Sequence, residues 1–328
     1  MRVGGNPQKT EAFIKLKTNH RIVVVVFVPE LTGYYQDMFE VIKVSINSLI
    51  KTIPNTSAIT IVDNGSCTAV VNYLTELFNN DLIDALQLLK TNIGKIDALM
   101  GGARASREPI VTLTDCDVLF KTNWVSETIK IFNIFKNVSS VSPIPARTAL
   151  KYFTFSTQEA ILRKRVDLKF ESIPENFEAY NMFLESINWH KETDNEKLWP
   201  ILHKDKTKAV IGSDHQVLTL RRDVFFNTSP SKPSFTKVGK ESEREYVDLA
   251  IDLSGGLRLS THNFYAFHMG NKLEDWMMTE YNKLEKESKE IALKLIPELK
   301  YREAYNFWYK VKKRILKKTF KFKVPSNY

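Results

Sequence analysis

Two carboxylates stand one residue apart in Val111-Thr-Leu-Thr-Asp115-Cys116-Asp117-Val-Leu-Phe120, directly after a short apolar run. Brought to one point, two such anions repel unless a cation lies between them. A hard divalent metal, Mn²⁺ or Mg²⁺, takes oxygen ligands of this kind and can bridge the phosphates of a nucleotide at the same time. A solvated turn with two capping acids is the plainer alternative, and a D-x-D alone does not decide between the two. Upstream, Thr60-Ile-Val-Asp63-Asn64-Gly65-Ser66 puts a carboxylate at a strand end, where it can accept a hydrogen bond from the N–H of a pyrimidine ring. Its Asn-Gly turn lets the chain approach closely; without a ligand the same residues are an ordinary turn. Asn92-Ile-Gly94-Lys95 precedes a run of small residues that includes Ala98, Gly101, Gly102, Ala103 and Ala105. Gly94 and Lys95 bring a cation toward the phosphates, or else mark a helix start with an exposed lysine.

Each group follows a segment able to position it. Arg21 to Val28 reads as a strand buried on both faces, because it is continuous, β-branched and stopped by Pro29. Met38 to Ile50 places Met38, Val41, Ile42, Ile46, Leu49 and Ile50 at helical spacing, with the small Ser45 on the same face, so a helix returns over the sheet. Strands over 58–62, 86–89 and 110–113 alternate with helices over 70–78 and 96–106. This alternation predicts an α/β fold with a parallel sheet covered on both faces. Ligands of such sheets sit beyond the carboxyl ends of the strands, where Pro29, Asp63, Asn92 and Asp115 fall. Residues 144–208 lose the rhythm and are expected to fold partly as helices over the sheet. Val210 to Leu220 reads as one strand, 227–240 as a mobile connector, 245–253 as a helix ended by Gly255-Gly256, and 257–260 and 264–268 as short strands. From Lys272 onward the pattern is helical.

The chain has 328 residues, enough for one large α/β domain with an appended segment. Its longest apolar run, Ile22 to Val28, is seven residues, against the roughly 20 that a membrane-crossing helix requires. With only Cys67 and Cys116 no disulfide framework is expected, and a reducing cytoplasm suits the chain. The polar first twenty residues carry no signal for export. Of 47 basic and 38 acidic residues, ten and one fall between 300 and 328, leaving 37 of each elsewhere. The basic character therefore belongs to a tail. There Phe307, Trp308, Val311, Ile315, Phe320 and Phe322 alternate with cations, a pattern that suits peripheral attachment to an anionic membrane at its inner face as well as a solvated closing helix. A charge-balanced domain with a carboxylate-rich site argues against nucleic acid as a partner.

Taken in order, the motifs resemble the nucleotide half of family 2 glycosyltransferases, which share the GT-A fold, a Rossmann-like, mostly parallel sheet flanked by helices. Val28-Pro29-Glu30 is similar to the family's first-strand end, Val62-Asp63-Asn64-Gly65-Ser66 to its uracil-contacting loop, Asn92-Ile-Gly94-Lys95 to the motif that follows, and Asp115-Cys116-Asp117 to its D-x-D. The resemblance covers about residues 20–145. It implies that Pro29, Glu30, Asp63, Asn64, Asn92, Gly94, Lys95, Asp115 and Cys116 line a nucleotide. Asp63 would meet the base, Lys95 would lie near ribose or phosphate, and Asp115 and Asp117 would hold nucleotide and metal.

The remainder resembles the family more loosely. Leu218-Thr-Leu-Arg221-Arg222-Asp223-Val-Phe225 is similar to the segment before its acceptor-side motif, Glu-Asp, a variable residue, Asp, Leu; here that motif reads Glu245-Tyr246-Val247-Asp248-Leu249. Tyr246 stands where the family usually carries its base, so the candidates are Glu245, Asp248 and Asp214, in that order, each equally able to be a structural acid. Phe264-Tyr-Ala-Phe-His268-Met-Gly270 is similar to the late strand that offers a histidine to the metal, and His215 and His190 are weaker candidates. The implied organisation is a GT-A domain over 1–270, divided into a nucleotide half (20–145) and an acceptor half (146–270), with a helical extension over 271–328. The implied reaction moves a sugar, with inversion, from a nucleoside-diphosphate sugar, a UDP-sugar above others, to a hydroxyl of a saccharide or lipid-linked glycan, with Trp189 and Trp199 available to stack on sugar faces. A nucleotidyltransferase and a non-catalytic nucleotide-sugar-binding module are the rivals. The first usually adds a Gly/Arg/Lys-rich phosphate loop after its first strand, where this chain has Glu30-Leu-Thr-Gly-Tyr34.

Overall fold

A computed structural model of the chain describes residues 4–10, 14–239, 241–287, 291–294, 296, 299 and 305–328. Strand β1 (His20–Val26) is followed by helix α1 (Met38–Thr52), β2 (Ser57–Asp63), α2 (Thr68–Asn79), β3 (Ala85–Leu88), α3 (Lys95–Ala105) and β4 (Ile110–Thr114). Then come β5 (Val118–Phe120), α4 (Trp124–Ile134), β6 (Val138–Ser142), α5 (Phe155–Leu162), β7 (Asp167–Ser172), α6 (Phe177–Ser186), β8 (Leu198–Lys204), β9 (Thr207–Ile211) and β10 (Val217–Arg221). The chain continues through α7 (Val224–Asn227), a π-helical turn (Arg244–Asp248) that runs into α8 (Leu249–Leu253), β11 (Leu257–Thr261), β12 (Ala266–His268), α9 (Asp275–Asn282) and α10 (Phe307–Phe320).

Among the described residues the main sheet has ten strands in the order β3-β2-β1-β4-β10-β6-β11-β9-β8-β7. Strands β3, β2, β1 and β4 are mutually parallel, and β10 runs antiparallel to both β4 and β6. After β3 the chain crosses back to the far side of β1. The strand order therefore reverses between β1 and β4, and a crevice opens there at their carboxyl ends. Both β1 and β2 are buried almost throughout, which explains why their sequences are continuous rather than alternating. Helix α1 buries Met38, Val41, Ile42, Ser45, Ile46 and Leu49 against this sheet, and the Ser45 hydroxyl donates to the Val118 carbonyl at 2.8 Å. That bond ties α1 to β5, which pairs with β12 in a separate two-stranded ribbon beside the crevice.

The departures from the sequence reading fall in the second half. Residues 144–208 supply helices α5 and α6 but also β7, β8 and the start of β9, which extend the sheet as an antiparallel meander. Alternation on these strands is masked because Trp199 and Ile201 are as buried as their neighbours. Val210 to Leu220 is two strands, broken at Gly212–Gln216. Gly212 has φ +89°, and a Cβ there would stand 2.6 Å from the Ala149 carbonyl oxygen, so the chain turns out of the sheet at a position only glycine fits. The late strand is confined to 266–268. Beyond Lys272 the helices are α9 and α10, while 284–287 and 291–294 are irregular. The rest of the helical expectation there, with Lys300 and Arg302 of the basic tail, lies outside the described residues. Trp199 is core, in edge contact with Tyr180, and Trp189 is exposed.

The seam of β1, β2 and β4 holds one buried histidine. His20 bonds Ser57 Oγ through Nδ1 (3.0 Å) and Thr112 Oγ1 through Nε2 (2.7 Å), and burial lowers its pKa to about 3. A histidine folded neutral and unfolded near its ordinary value binds its proton in the unfolded chain first. Stability from this site is therefore complete above about pH 6.5 and is lost as pH falls toward 3, with a limiting slope of about 1.4 kcal/mol per pH unit. Urea unfolding of the wild type should lose stability more steeply between pH 6 and 4 than His20→Gln, whose curve lacks this site's contribution; parallel curves would remove the histidine from the account.

Candidate active site

The carboxyl ends of β1, β2 and β4 converge on a cleft walled by Phe27, Tyr34, Tyr35, Asn64, Asn92, Lys95, Asp115, Cys116, Asp117, Lys237 and Val238. Asp115 follows the last residue of β4, and its own N–H bonds the Gln216 carbonyl at 3.0 Å, which fixes the turn against the segment leading into β10. Lys95, the first residue of α3, bonds both Asp115 oxygens, at 2.7 and 2.8 Å, and lies 3.9 Å from Glu243. Burial alone would lower the lysine pKa, but the Asp115 charge, with Glu243 and Asp117 behind it, raises it above the usual value, so the ammonium holds its proton. Burial drives Asp115 the other way. Its pKa is raised by desolvation and by Asp117, against the opposing pull of Lys95.

Asp117 is held differently. His268, the last residue of β12, approaches its Oδ2 to 3.3 Å through Nε2, while His268 Nδ1 meets the Ser186 hydroxyl at 2.9 Å. Burial would lower the imidazole pKa, yet Asp117 outweighs it, with Asp115 and Asp214 adding to a net upward shift. Asp214 is therefore within electrostatic reach of the His268–Asp117 pair. Asp117 Oδ1 is buried without a hydrogen-bond partner among the described residues. Between the two acids, Cys116 is an intermediate-exposure free thiol whose pKa is pushed up by burial and by both carboxylates, so it is a neutral spacer.

Three more of the expected residues form the floor. Asn64 and Asn92 bond through their amides at 3.1 Å, Asn64 Oδ1 accepts from the Ile93 N–H (2.9 Å), and Asn92 Oδ1 accepts from the Gly94 N–H (2.8 Å). Gly94 has φ +103°, and a Cβ there would meet the Thr236 carbonyl oxygen at 2.2 Å. The loop over 229–239 can therefore lie on this turn. The Lys237 carbonyl accepts from the Lys95 N–H at 2.8 Å, and Asp97 accepts from the Ser234 and Phe235 N–H groups at 2.8 and 3.1 Å. What reads as a mobile connector from its composition is thus fastened at both of these points, and it supplies Lys237 and Val238 to the cleft.

Other expected residues stand elsewhere. Pro29 and Glu30 are exposed and do not line the cleft; β1 ends at Val26, and the wall there is Val25 and Phe27. Asp63 is 1% exposed, and its carboxylate accepts from the Gly65 and Ser66 N–H groups at 3.2–3.3 Å, so it folds its own loop while the neighbouring Asn64 faces the cleft. Glu245 is exposed, whereas Glu243, two residues earlier and not anticipated, reaches Lys95. Glu243 caps the π-helical turn over 244–248 and Glu245 lies within it, so the two acids, two positions apart, point to different sides. Asp248 is wholly buried, ion-paired at 2.7 Å with the equally buried Arg258, and it accepts the Tyr152 hydroxyl at 2.7 Å. Arg258 also bonds Ser213 Oγ and carbonyl at 2.9 Å, which anchors the segment that presents Asp214. His215 lies between Asp214 and Asp248, at 3.4 and 3.7 Å, and His190 is exposed. Among the described residues no three His, Cys, Asp or Glu side chains are gathered as a complete metal cage. Tyr34 and Tyr35 were unsignalled; their one sequence mark is an aromatic pair where a phosphate loop would otherwise lie.

A family model described as Glycosyl transferase family 2 matches residues 32–211, more than half of the chain. The chain belongs to glycosyltransferase family 2. Its fold is GT-A, with the reversal of strand order and the D-x-D turn at the same crevice. Among curated proteins no sequence matches. Solved structures that it resembles include a mannosyltransferase from Pyrobaculum calidifontis in complex with GDP-Man and Mn²⁺ (14% identity, TM-score 0.44, covering 75% of this chain and 55% of that one). Residues 1–349 of TarS from S. aureus align at 10% identity and TM-score 0.44, covering 77% and 60%. GalNAc-T7 with UDP, GalNAc and Mn²⁺ aligns at 16% identity and TM-score 0.48, covering 76% and 43%. The chain thus spans between 43% and 60% of the lengths of these three proteins.

In this member of the family the Arg258–Asp248 pair is the support beneath the site. Removing one member of a buried pair leaves the other charge uncompensated, at a cost of about 3–5 kcal/mol. Arg258→Met should lower unfolding free energy by about that amount in urea, and Arg258→Met/Asp248→Asn should recover part of it. A single variant within about 1 kcal/mol of wild type would contradict a supporting role.

Proposed function

We propose that the cleft at the end of β4 binds a nucleoside-diphosphate sugar, a UDP-sugar above others, and passes its sugar, with inversion, to a hydroxyl of a saccharide or lipid-linked glycan. The observation that carries this reading is the split of the D-x-D acids: Asp115 is neutralised by Lys95, and Asp117 keeps a buried, unpartnered oxygen beside His268. A carboxylate oxygen in that state costs free energy that a cation would return. Asp117 and His268, an oxygen and nitrogen pair, would hold Mn²⁺ or a similar divalent ion, with Asp115 nearby. When bound, such a metal supplies Lewis-acid neutralisation of charge on the departing diphosphate.

The remaining work falls to the chain. Tyr35 and Phe27, in edge contact at 6.1 Å, offer an apolar wall for the base, and the Asn64 and Asn92 amides offer its polar contacts. Lys95 carries a fixed positive charge toward the phosphates while holding Asp115 in place. For in-line attack, an acid must accept the hydroxyl proton. Neither Asp214 nor Glu245 lines the cleft itself; of the three candidates Asp214 is favoured because it is partly exposed and its charge bears on His268, whereas Asp248 is saturated by Arg258 and Tyr152 and Glu245 is exposed with no such link. The catalytic domain is assigned to 1–270 and the extension to 271–328.

Thermal unfolding with UDP, GDP and other nucleoside diphosphates should rise for one of them in Mn²⁺ but not in chelator, and Asp117→Ala should abolish the rise. A rise that is equal with and without metal would end the metal assignment. Once a donor is found, Asp214→Asn should lower kcat by about 10²–10⁴-fold with nucleotide binding retained, while Glu245→Gln stays within about twofold. Donor binding with no turnover in any acceptor screen would favour a non-catalytic module instead.

A further inference from the structure

Helix α10 has two apolar faces, only one of which the protein covers. Tyr309, Leu316 and Phe320 pack inward: Tyr309 meets the Phe155 ring at 5.4 Å and donates its hydroxyl to Asp252 at 2.5 Å, and Phe320 is 2% exposed. At 3.6 residues per turn, Phe307, Trp308, Val311 and Ile315 lie on the opposite side. Phe307, Trp308 and Ile315 are 70%, 67% and 58% exposed, and Phe322, just past the helix, is 92% exposed. Residues 305–328 carry eight Lys or Arg and no acid.

Beside Lys312 of this helix the surface dips into a hollow of about 590 Å³, and the hollow's other cations come from the transferase domain: Lys136 before β6, Arg163 and Arg165 between α5 and β7, and Lys204 at the end of β8. Its one acid, Glu159, is paired with Arg163 at 2.6 Å. Among the described residues Lys136, Arg165, Lys204 and Lys312 have no ion-pair partner. Four unpaired cations from four separate elements thus border the uncovered apolar face.

We propose that the outward face of α10 and this hollow form one docking surface for an anionic phospholipid membrane, with Phe307, Trp308 and Ile315 entering the headgroup layer and a lipid phosphate seated among Lys136, Arg165, Lys204 and Lys312. Aromatic and branched side chains edged by cations suit that interface, and negative headgroups complement the charge. Self-association through the same face would set a cationic surface against its own copy. The hollow lies at the amino ends of β6 and β11. Because β10 is antiparallel to both β4 and β6, those ends face away from the cleft at the carboxyl end of β4. Docking therefore leaves the cleft open to a soluble donor. The inference is independent of the transferase reading.

The full-length protein is sedimented with phosphatidylcholine vesicles and with vesicles rich in phosphatidylglycerol. Binding is expected to the second alone and to weaken with salt. Trp308→Glu/Ile315→Glu should abolish it. Lys136→Gln/Arg165→Gln/Lys204→Gln, which leaves α10 unchanged, should weaken it by on the order of a hundredfold, from a factor of about five for each charge. Unchanged thermal unfolding verifies that both variants fold. Equal binding to both vesicles, or to neither, overturns the proposal. So does a triple variant that binds like wild type, a preference for single-stranded RNA over vesicles, or a dimer that Trp308→Glu dissociates in the absence of lipid.

Discussion

Two carboxylates one residue apart cannot share a low-dielectric crevice unless each is given its own counter-charge, and this constraint organises the site. Lys95 takes Asp115 and His268 takes Asp117. The two partners come from opposite ends of the domain's sequence, one from the start of α3 and the other from β12. Bringing them together needs the reversal of strand order between β1 and β4 on one side and the β5–β12 ribbon on the other. The Met269 N–H donates to the Asp117 carbonyl at 2.8 Å, so the ribbon is sewn to the D-x-D turn through backbone as well as side chain.

The same economy of charge extends outward from Lys95. Its 3.9 Å approach to Glu243 links the start of α3 to the turn ahead of α8, and its N–H holds Lys237. Lys237 and Glu243 are thereby bound to the cleft by one lysine's backbone and side chain. Asp97, one helical residue pair further on, fastens Ser234 and Phe235. Each of these contacts depends on Gly94, whose positive φ and missing Cβ admit the Thr236 carbonyl. The cleft and the loop above it thus meet at one residue, whose ammonium holds Asp115 and whose backbone N–H holds Lys237.

Most of the first half was legible in the sequence because its signals are local. A strand buried on both faces needs an unbroken β-branched run, and Ile22 to Val26 supplies it; a helix over the sheet needs a repeating apolar face, and α1 supplies that. The order of Asn64, Asn92, Lys95 and the D-x-D along the chain reflects their common place at the carboxyl ends of the strands. The second half was less legible because its determinants are not local. The break at Gly212 answers to Ala149, 63 positions earlier, and the middle of β8 hides its period by burying both faces. Glu243 carried no mark in the sequence, because the family's acidic motif selects Glu245, and the acid that reaches Lys95 stands two residues before that motif. Asp63 and Asn64 show the limit at its finest: adjacent residues on one strand end point to opposite sides, and the one with the charge turned inward to the Gly65 and Ser66 amides.

The acidic motif before α8 shows how a site residue and a core residue can exchange roles within a family pattern. Tyr246 is buried, with its hydroxyl donating to the Lys232 carbonyl at 2.8 Å, so the position that usually carries an acid instead pins the cleft loop. Asp248 has gone further inside, where an isolated carboxylate would be untenable, and it survives there because Arg258 and Tyr152 meet both of its oxygens. Arg258 in turn reaches Ser213, one residue before Asp214. A charge withdrawn into the core thus sets the position of the neighbouring acid through the Arg258–Ser213 contacts.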